Sequence, residues 1–204
     1  MLGKTHMAVG VSASLLFLQP RTLSELVLGT GAAVIGSVIS DIDIGTSDSH
    51  KGADHIIAIT TLTIIITVIA ECVWHIGIYQ KFVQNSSLMH IFPSAALFLL
   101  VCAFGKEQPH RSFMHSFLAF GLLTGCVDVF LPLLAPYFGI AFLSHLTLDV
   151  FNRRRERLLY PLKKGLCLNL CSSKGMVNQI LFRAGFLLSV GLLGFRLSRI
   201  YSIF

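Results

Sequence analysis

His6, Asp41 and Asp43, His110 and His115, and His145 and Asp149 are small polar clusters set far apart in an apolar chain. Imidazole and carboxylate are the side chains that bind zinc, manganese or iron. Ionisable groups inside or beside lipid are costly to keep, so in such a chain they mark candidate functional positions. His145 and Asp149 stand four apart in an apolar helical pattern, on one face and one turn apart. Such a pair can share one metal, or the carboxylate can orient the imidazole as ligand; alone, it reads equally as a helix-end hydrogen bond. Asp41-Ile42-Asp43, if extended, turns both carboxylates to one side, where they reach one cation or two adjacent ones. Taken by itself, that triplet reads as a solvated acidic loop end. His110 and His115 bracket the predicted start of a helix after Pro109, and Arg111 would lie beside an anion bound at its free N–H groups. His6 falls about one turn inside the first predicted helix.

The elements that must position these groups are apolar helices. Of 204 residues, 54% are hydrophobic and 13% charged, with a mean hydropathy of +0.75, against about 25% charged in soluble domains. That composition is a membrane protein's. Apolar stretches at 3–18, 23–39, 55–72, 87–104, 112–131, 134–150 and 176–195 predict an all-α, polytopic bundle of about seven transmembrane or membrane-embedded helices, in one domain over 1–204. Several stretches lie near the lower limit of roughly 17 residues for a span, and the first and sixth are expected to tilt or insert only partly. Counting seven crossings puts every cluster above at one membrane face. The opposite face carries Glu71, His75, His90 and Asp128, with Trp74 and Tyr79 as interfacial anchors, and reads as a solvated helix rim.

A net charge of +6 could suggest nucleic acid, but its distribution argues otherwise. Lys4, Lys51, Lys106, Arg111, Arg153, Arg154, Arg155, Arg157, Lys163, Lys164 and Lys174 fall on the face of the clusters, whereas Arg21, Lys81, Arg196 and Arg199 fall opposite. By the positive-inside rule the richer face is cytoplasmic. The basic loop is expected to meet anionic headgroups, at about 1 kcal/mol per nearby Lys or Arg, so no direct nucleic-acid binding is expected. The first apolar segment has no small-x-small cleavage pattern after it and reads as retained. The five cysteines are odd in number and Cys167-x-x-x-Cys171 lacks zinc spacing, so they read as ordinary thiols on a reducing side. Two longer loops are predicted, at 40–54 and 152–175. In the second, alternating Leu166, Leu168 and Leu170 suggest either a short hairpin lying on the headgroups or an irregular connector pinned by its leucines.

At these residues the chain resembles the bacterial membrane-bound metal-dependent hydrolase family, also described as LexA-binding, inner-membrane-associated hydrolases. Lys4-Thr5-His6 resembles its N-terminal Thr-His element, Asp41-Ile42-Asp43 its Asp-x-Asp, and His110-Arg111 through His115-Ser116 its His-Arg-x-x-x-His-Ser. Ser144-His145 through Asp149 resembles its Ser-His-x-x-x-Asp, and Leu159-Tyr160-Pro161 its aromatic-Pro segment. The likeness runs in order from residue 4 to about 165 and the ordered set is more specific than any one motif. Ser112, Met114, Asn152 and Arg155 depart from the pattern, and Ile44 stands where a histidine is common, a place His50 or His55 could take. The family is in turn distantly similar to the helical zinc-dependent phospholipase C and P1-nuclease group, an analogy of fold.

The resemblance implies a hydrolase in the bacterial inner membrane, with N-terminus and site on the cytoplasmic side, acting on a phosphoester of a phospholipid or lipid-linked substrate. His6, Asp41, Asp43, His110, His115, His145 and Asp149 would hold one or two divalent ions, zinc first, with manganese or iron as alternatives. Arg111 and Lys4 would neutralise phosphate charge, and a carboxylate, Asp43 or Asp149, would act as general base. Two other readings stand beside it: a metal-ion or small-solute transporter, whose site would sit nearer the bilayer midplane, and a non-catalytic membrane protein that docks a protein partner on its basic loop.

Overall fold

The structure, a computed structural model, describes residues 1–74, 77, 85–172 and 175–202. Among them run seven α-helices: α1 (Gly3–Phe17), α2 (Leu23–Val38), α3 (Asp48–Trp74), α4 (Ser86–Lys106), α5 (Phe117–Phe130), α6 (Ala135–Val150) and α7 (Met176–Tyr201). A 3-10 turn, Ile39–Asp43, prolongs α2. The chain is thus an all-helical bundle of the kind its composition predicts.

Four segments are long and apolar enough to cross a membrane: Leu23–Asp43, Asp48–Ile69, Leu88–Lys106 and Met176–Tyr201. α1 and α6, the two expected to be short, have 15 and 16 residues, and α5 joins them with 14. At 1.5 Å per residue these reach about 21–24 Å, less than a hydrocarbon core of about 30 Å. α3 faces outward, with Ile56, Ile59, Leu62 and Ile66 all exposed for contact with lipid tails.

α6 is the hub, packed on α1, α2 and α5, while α7 lies along α1 and α4 along α5. Phe138, Ala141, Phe142, His145 and Asp149 are buried on α6 at the helical period, so the face that packs also carries the chemistry. Small residues let the backbones approach, as is usual where lipid leaves no hydrophobic drive between helices. A Cβ on Gly36 of α2 would come within 2.3 Å of the Phe138 carbonyl oxygen on α6. Ser14 Oγ of α1 donates to Tyr137 O across the α1–α6 junction, at 3.0 Å, and Thr5 Oγ1 donates to Asn178 Oδ1 of α7, also at 3.0 Å.

Four local expectations change. Residues 48–54, read as loop, open α3, because Ser47 Oγ accepts from His50 N at 3.0 Å and Asp48 sits in the first turn, where a negative charge is favourable. Asp41-Ile42-Asp43 is a 3-10 turn rather than an extended segment, with Ile42 turned into the core. The helix after Pro109 begins only at Phe117, capped by Ser116 Oγ accepting from Ala119 N, so His110 and His115 stand on a loop that precedes it. The 152–172 segment holds two isolated bridges, Asn152 with Cys171 and Glu156 with Leu166, and no strand among the described residues. It is an irregular connector tied by backbone bonds to the end of α6 (Leu168 N to Val150 O, Leu170 N to Phe151 O), with Leu166, Leu168 and Leu170 exposed rather than pinning it.

Candidate metal centre

His145, near the end of α6, is fully buried, and its Nδ1 donates to Ser37 O of α2 at 2.7 Å. Only the nitrogen can donate to a carbonyl, so Nε2 keeps its lone pair. That Nε2 lies 3.4 Å from His115 Nε2 and 3.7 Å from Asp41 Oδ1. One turn later, Asp149 places Oδ1 3.3 Å from His6 Nε2 and Oδ2 3.8 Å from His115 Nε2. The His6 ring stacks on His145 with centroids 3.8 Å apart. Asp41 Oδ1 lies 3.7 Å from His115 Nε2 as well. Asp43 braces the group from behind: Oδ1 is 2.8 Å from His110 Nδ1, and Oδ2 is 3.3 Å from His115 Nδ1.

Seven predicted ligand residues from α1, the 3-10 turn, the loop before α5 and α6 therefore meet at one place. His6, Asp41 and His145 offer ligand atoms within 4.8 Å of one another, as do Asp41, His110 and His115, and His115, His145 and Asp149. Ligands about 2.0–2.2 Å from a tetrahedral ion stand roughly 3.3–3.6 Å apart, close to the 3.3–3.8 Å separations among His6, Asp41, His115, His145 and Asp149. Both ring nitrogens of His6 are buried without a well-aligned hydrogen bond among the described residues, Nε2 having only the Asp149 carboxylate at 3.3 Å beside it. Buried polar atoms are normally satisfied, so these residues fit a metal ion. Burial disfavours charge on His115, but Asp41 and Asp43 outweigh it and hold its pKa up at about 10.

Arg111 closes the group. It adopts a left-handed backbone, φ 65°, which few residues other than glycine take without strain. That turn sends its N–H to Asp43 Oδ2 at 3.1 Å and its guanidinium to Asp149 Oδ2 at 2.5 Å and Arg154 O at 2.6 Å. The Met1 amino group is on Asp149 Oδ1 at 2.5 Å. A cavity of about 410 Å³ opens onto the cluster, lined by Asp41, His110, Arg111, Asp149, Arg153 and Arg154 among others.

The family model described as YdjM inner membrane protein matches residues 1–202. The chain belongs to that family. No match was found among curated proteins or among solved structures. As a member of the YdjM inner membrane protein family with four helices long and apolar enough to cross, it is an inner membrane protein with transmembrane helices.

Two expected contributors stand elsewhere. Lys4 does not face the cluster: its Nζ lies over the Phe182 ring of α7, 4.9 Å from the centroid. The reason is angular, since positions two apart on a helix point about 200° apart, and His6 takes the inward direction. His50 does not fill the place of Ile44; its Nδ1 donates to Ile42 O at 2.5 Å and so braces the 3-10 turn, while His55 is exposed. On the other rim, His90 and Asp128 are exposed. His75, Tyr79, Lys81 and Lys174 lie outside the described residues, and the side chains of Glu71 and Trp74 are not described.

Glu156 is the residue the sequence reading passed over. It is fully buried, with neither carboxylate oxygen hydrogen-bonded among the described residues, and burial pushes its pKa up to about 8. The available signal was a single acid inside Arg153-Arg154-Arg155-Glu156-Arg157. Ser37 was not legible at all, because it acts through a backbone carbonyl.

Proposed function

We propose that the chain is a membrane-bound, metal-dependent hydrolase that cleaves a phosphoester of a phospholipid or lipid-linked substrate at the cytoplasmic leaflet. The observation that carries this reading is the convergence of imidazoles and carboxylates at ligand separations beside a cavity whose rim is arginine. His6, Asp41, His115, His145 and Asp149 surround the place that one divalent ion would take, zinc first; His110 with Asp41 and His115 is a second grouping, which a second ion could use only with His115 given up by the first. When bound, such an ion supplies Lewis acidity that polarises a phosphoryl oxygen and acidifies a water.

The chain's own residues do the rest. Arg153 and Arg154 draw an anion into the cavity, and Arg111, fixed by Asp149 and the Arg154 carbonyl, neutralises charge on it. Asp41 and Asp149 line that cavity; both oxygens of Asp149 are held by Arg111 and the Met1 amino group, which leaves Asp41 as the carboxylate to accept a proton. Asp43, whose side chain is fully buried against His110 and His115, positions those rings instead of meeting substrate. Lys51, Lys106 and the basic loop share the end of the bundle that holds the cluster in the crossing count, which supports a cytoplasmic site.

The test is hydrolysis of a phospholipid or lipid phosphate by protein purified in mild detergent, with and without chelation and metal return. Turnover lost on chelation and restored by zinc or manganese is the expected result. A metal-loaded protein with no turnover on any phosphoester, yet with zinc uptake into liposomes, would replace the hydrolase by a transporter.

A further inference from the structure

A second, larger cavity of about 790 Å³ adjoins the first, and His110 and Arg111 line both. Its volume falls in the range of about 300–1,000 Å³ usual for small-molecule sites. Besides Arg111, its cations are Arg155, Arg157, Lys163 and Lys164, and no residue lining it is acidic. None of those four has an ion-pair partner among the described residues. Five formal positive charges around one concavity repel one another unless an anion sits among them.

The backbone that carries these cations is held in place by hydrogen bonds. Glu156 exchanges backbone bonds with Leu166, N to O at 2.8 Å in both directions, which brings the 163–166 stretch against the 155–157 stretch. Side chains alternate along an extended segment, so Arg155 and Arg157 line the cavity while Glu156 between them is buried away from it. Arg157 N donates to Arg111 O at 3.1 Å, which ties this wall to the loop that carries His110 and His115. Arg111 Nε is buried and unpartnered among the described residues, although the same guanidinium already serves Asp149 through another nitrogen.

We propose that this second cavity receives a phosphoryl group of the substrate other than the one cleaved, so that the substrate class is a diphosphate ester. The inference rests on the hydrolase reading for the identity of the first cavity as the reacting one. A single phosphate needs only the smaller cavity; the second phosphoryl of a diphosphate, joined to the first through one bridging oxygen, would enter the basic cavity at the edge that the two cavities share at His110 and Arg111. Arginine suits this wall because its planar guanidinium can serve anions on two sides at once.

The experiment measures binding of inorganic pyrophosphate and of inorganic phosphate to metal-free protein in detergent, after the chelator has been dialysed away. With the metal gone, Arg111, Arg153 and Arg154 of the first cavity still attract anions, so the variants in the second cavity carry the decision, and an absence of hydrolysis does not enter it. The wild type should bind pyrophosphate on the order of tenfold more tightly than phosphate. Lys163→Gln with Lys164→Gln, at two exposed positions that the fold does not need, should erase that preference, and Arg157→Gln should do the same. Equal binding of the two anions by the wild type, or a preference untouched in both variants, would overturn the subsite. A long-chain alkyl diphosphate that displaces pyrophosphate at lower concentration than pyrophosphate itself supports the subsite with a lipid source; equal displacement supports it with a soluble one.

Discussion

His145 on α6 is fixed by the backbone of Ser37 on α2, its Nδ1 donating to that carbonyl oxygen at 2.7 Å. The bond sets both the tautomer and the direction of Nε2, so the candidate ligand depends on how closely two helices lie. Gly36, the residue before Ser37, is what allows that approach.

A methyl group at Gly36 would press on the Phe138 backbone, and a backbone neighbour cannot rotate away. Gly36→Ala should therefore shift α2 off α6, loosen the Ser37–His145 bond and weaken metal affinity on the order of 10- to 100-fold, the usual cost of losing a partner that orients a metal ligand. Gly31→Ala, on the same helix but with open space around it, should leave affinity unchanged. Metal titration of both variants in detergent checks the pair, and equal behaviour would show that the helix contact does not govern the ligand.

Glu156 gives the pH dependence. Burial, the largest cause, raises its folded pKa from 4.5 to about 8, so the folded state holds a proton that the unfolded chain releases above about 4.5. The stabilisation is fully present below the unfolded value and is lost as pH rises through about 8, at up to about 1.4 kcal/mol per pH unit. Glu156→Gln should flatten that decline. Thermal unfolding of both proteins in detergent from acid to mildly alkaline pH measures it, and parallel curves would mean that Glu156 is already ionised in the fold.

Arg111 separates binding of metal from use of it. Arg111→Ala removes the guanidinium from the cavity wall while leaving all six candidate ligands. Turnover should fall about 10²-fold or more, as when one stabiliser of developing negative charge is deleted, with metal content retained. Arg111→Lys should recover little, because one ammonium cannot reach both Asp149 and the Arg154 carbonyl. Loss of metal in Arg111→Ala would instead make the residue a prop for the cluster.

The membrane class was legible because hydropathy is a bulk property, and the candidate site residues because charge in an apolar chain is conspicuous. A count of seven crossings put His6, Asp41, His115 and His145 at one membrane face; four helices among the described residues are long and apolar enough to cross, and it is the packing of α1, α2 and α6 that brings these groups together. What a crossing count cannot give is direction around a helix axis, and so Lys4 was placed beside His6 although it projects onto Phe182. The 3-10 turn at Asp41-Ile42-Asp43 was hidden because its cause lies partly downstream, where the His50 ring donates to Ile42 O. Glu156 was hidden because burial of a loop acid depends on what folds over it, here the return of the chain at Leu166.

The central claim is that His6, Asp41, His115, His145 and Asp149 hold a metal, and elemental analysis of the purified protein addresses it directly. Wild type, His145→Ala, Asp149→Ala and Lys4→Ala would be prepared identically in mild detergent and supplied with zinc or manganese. At least one ion per chain in the wild type and in Lys4→Ala, with none in His145→Ala or Asp149→Ala, is the result this account expects. Sub-stoichiometric metal in the wild type that added zinc or manganese does not restore, or full metal in His145→Ala, would contradict it.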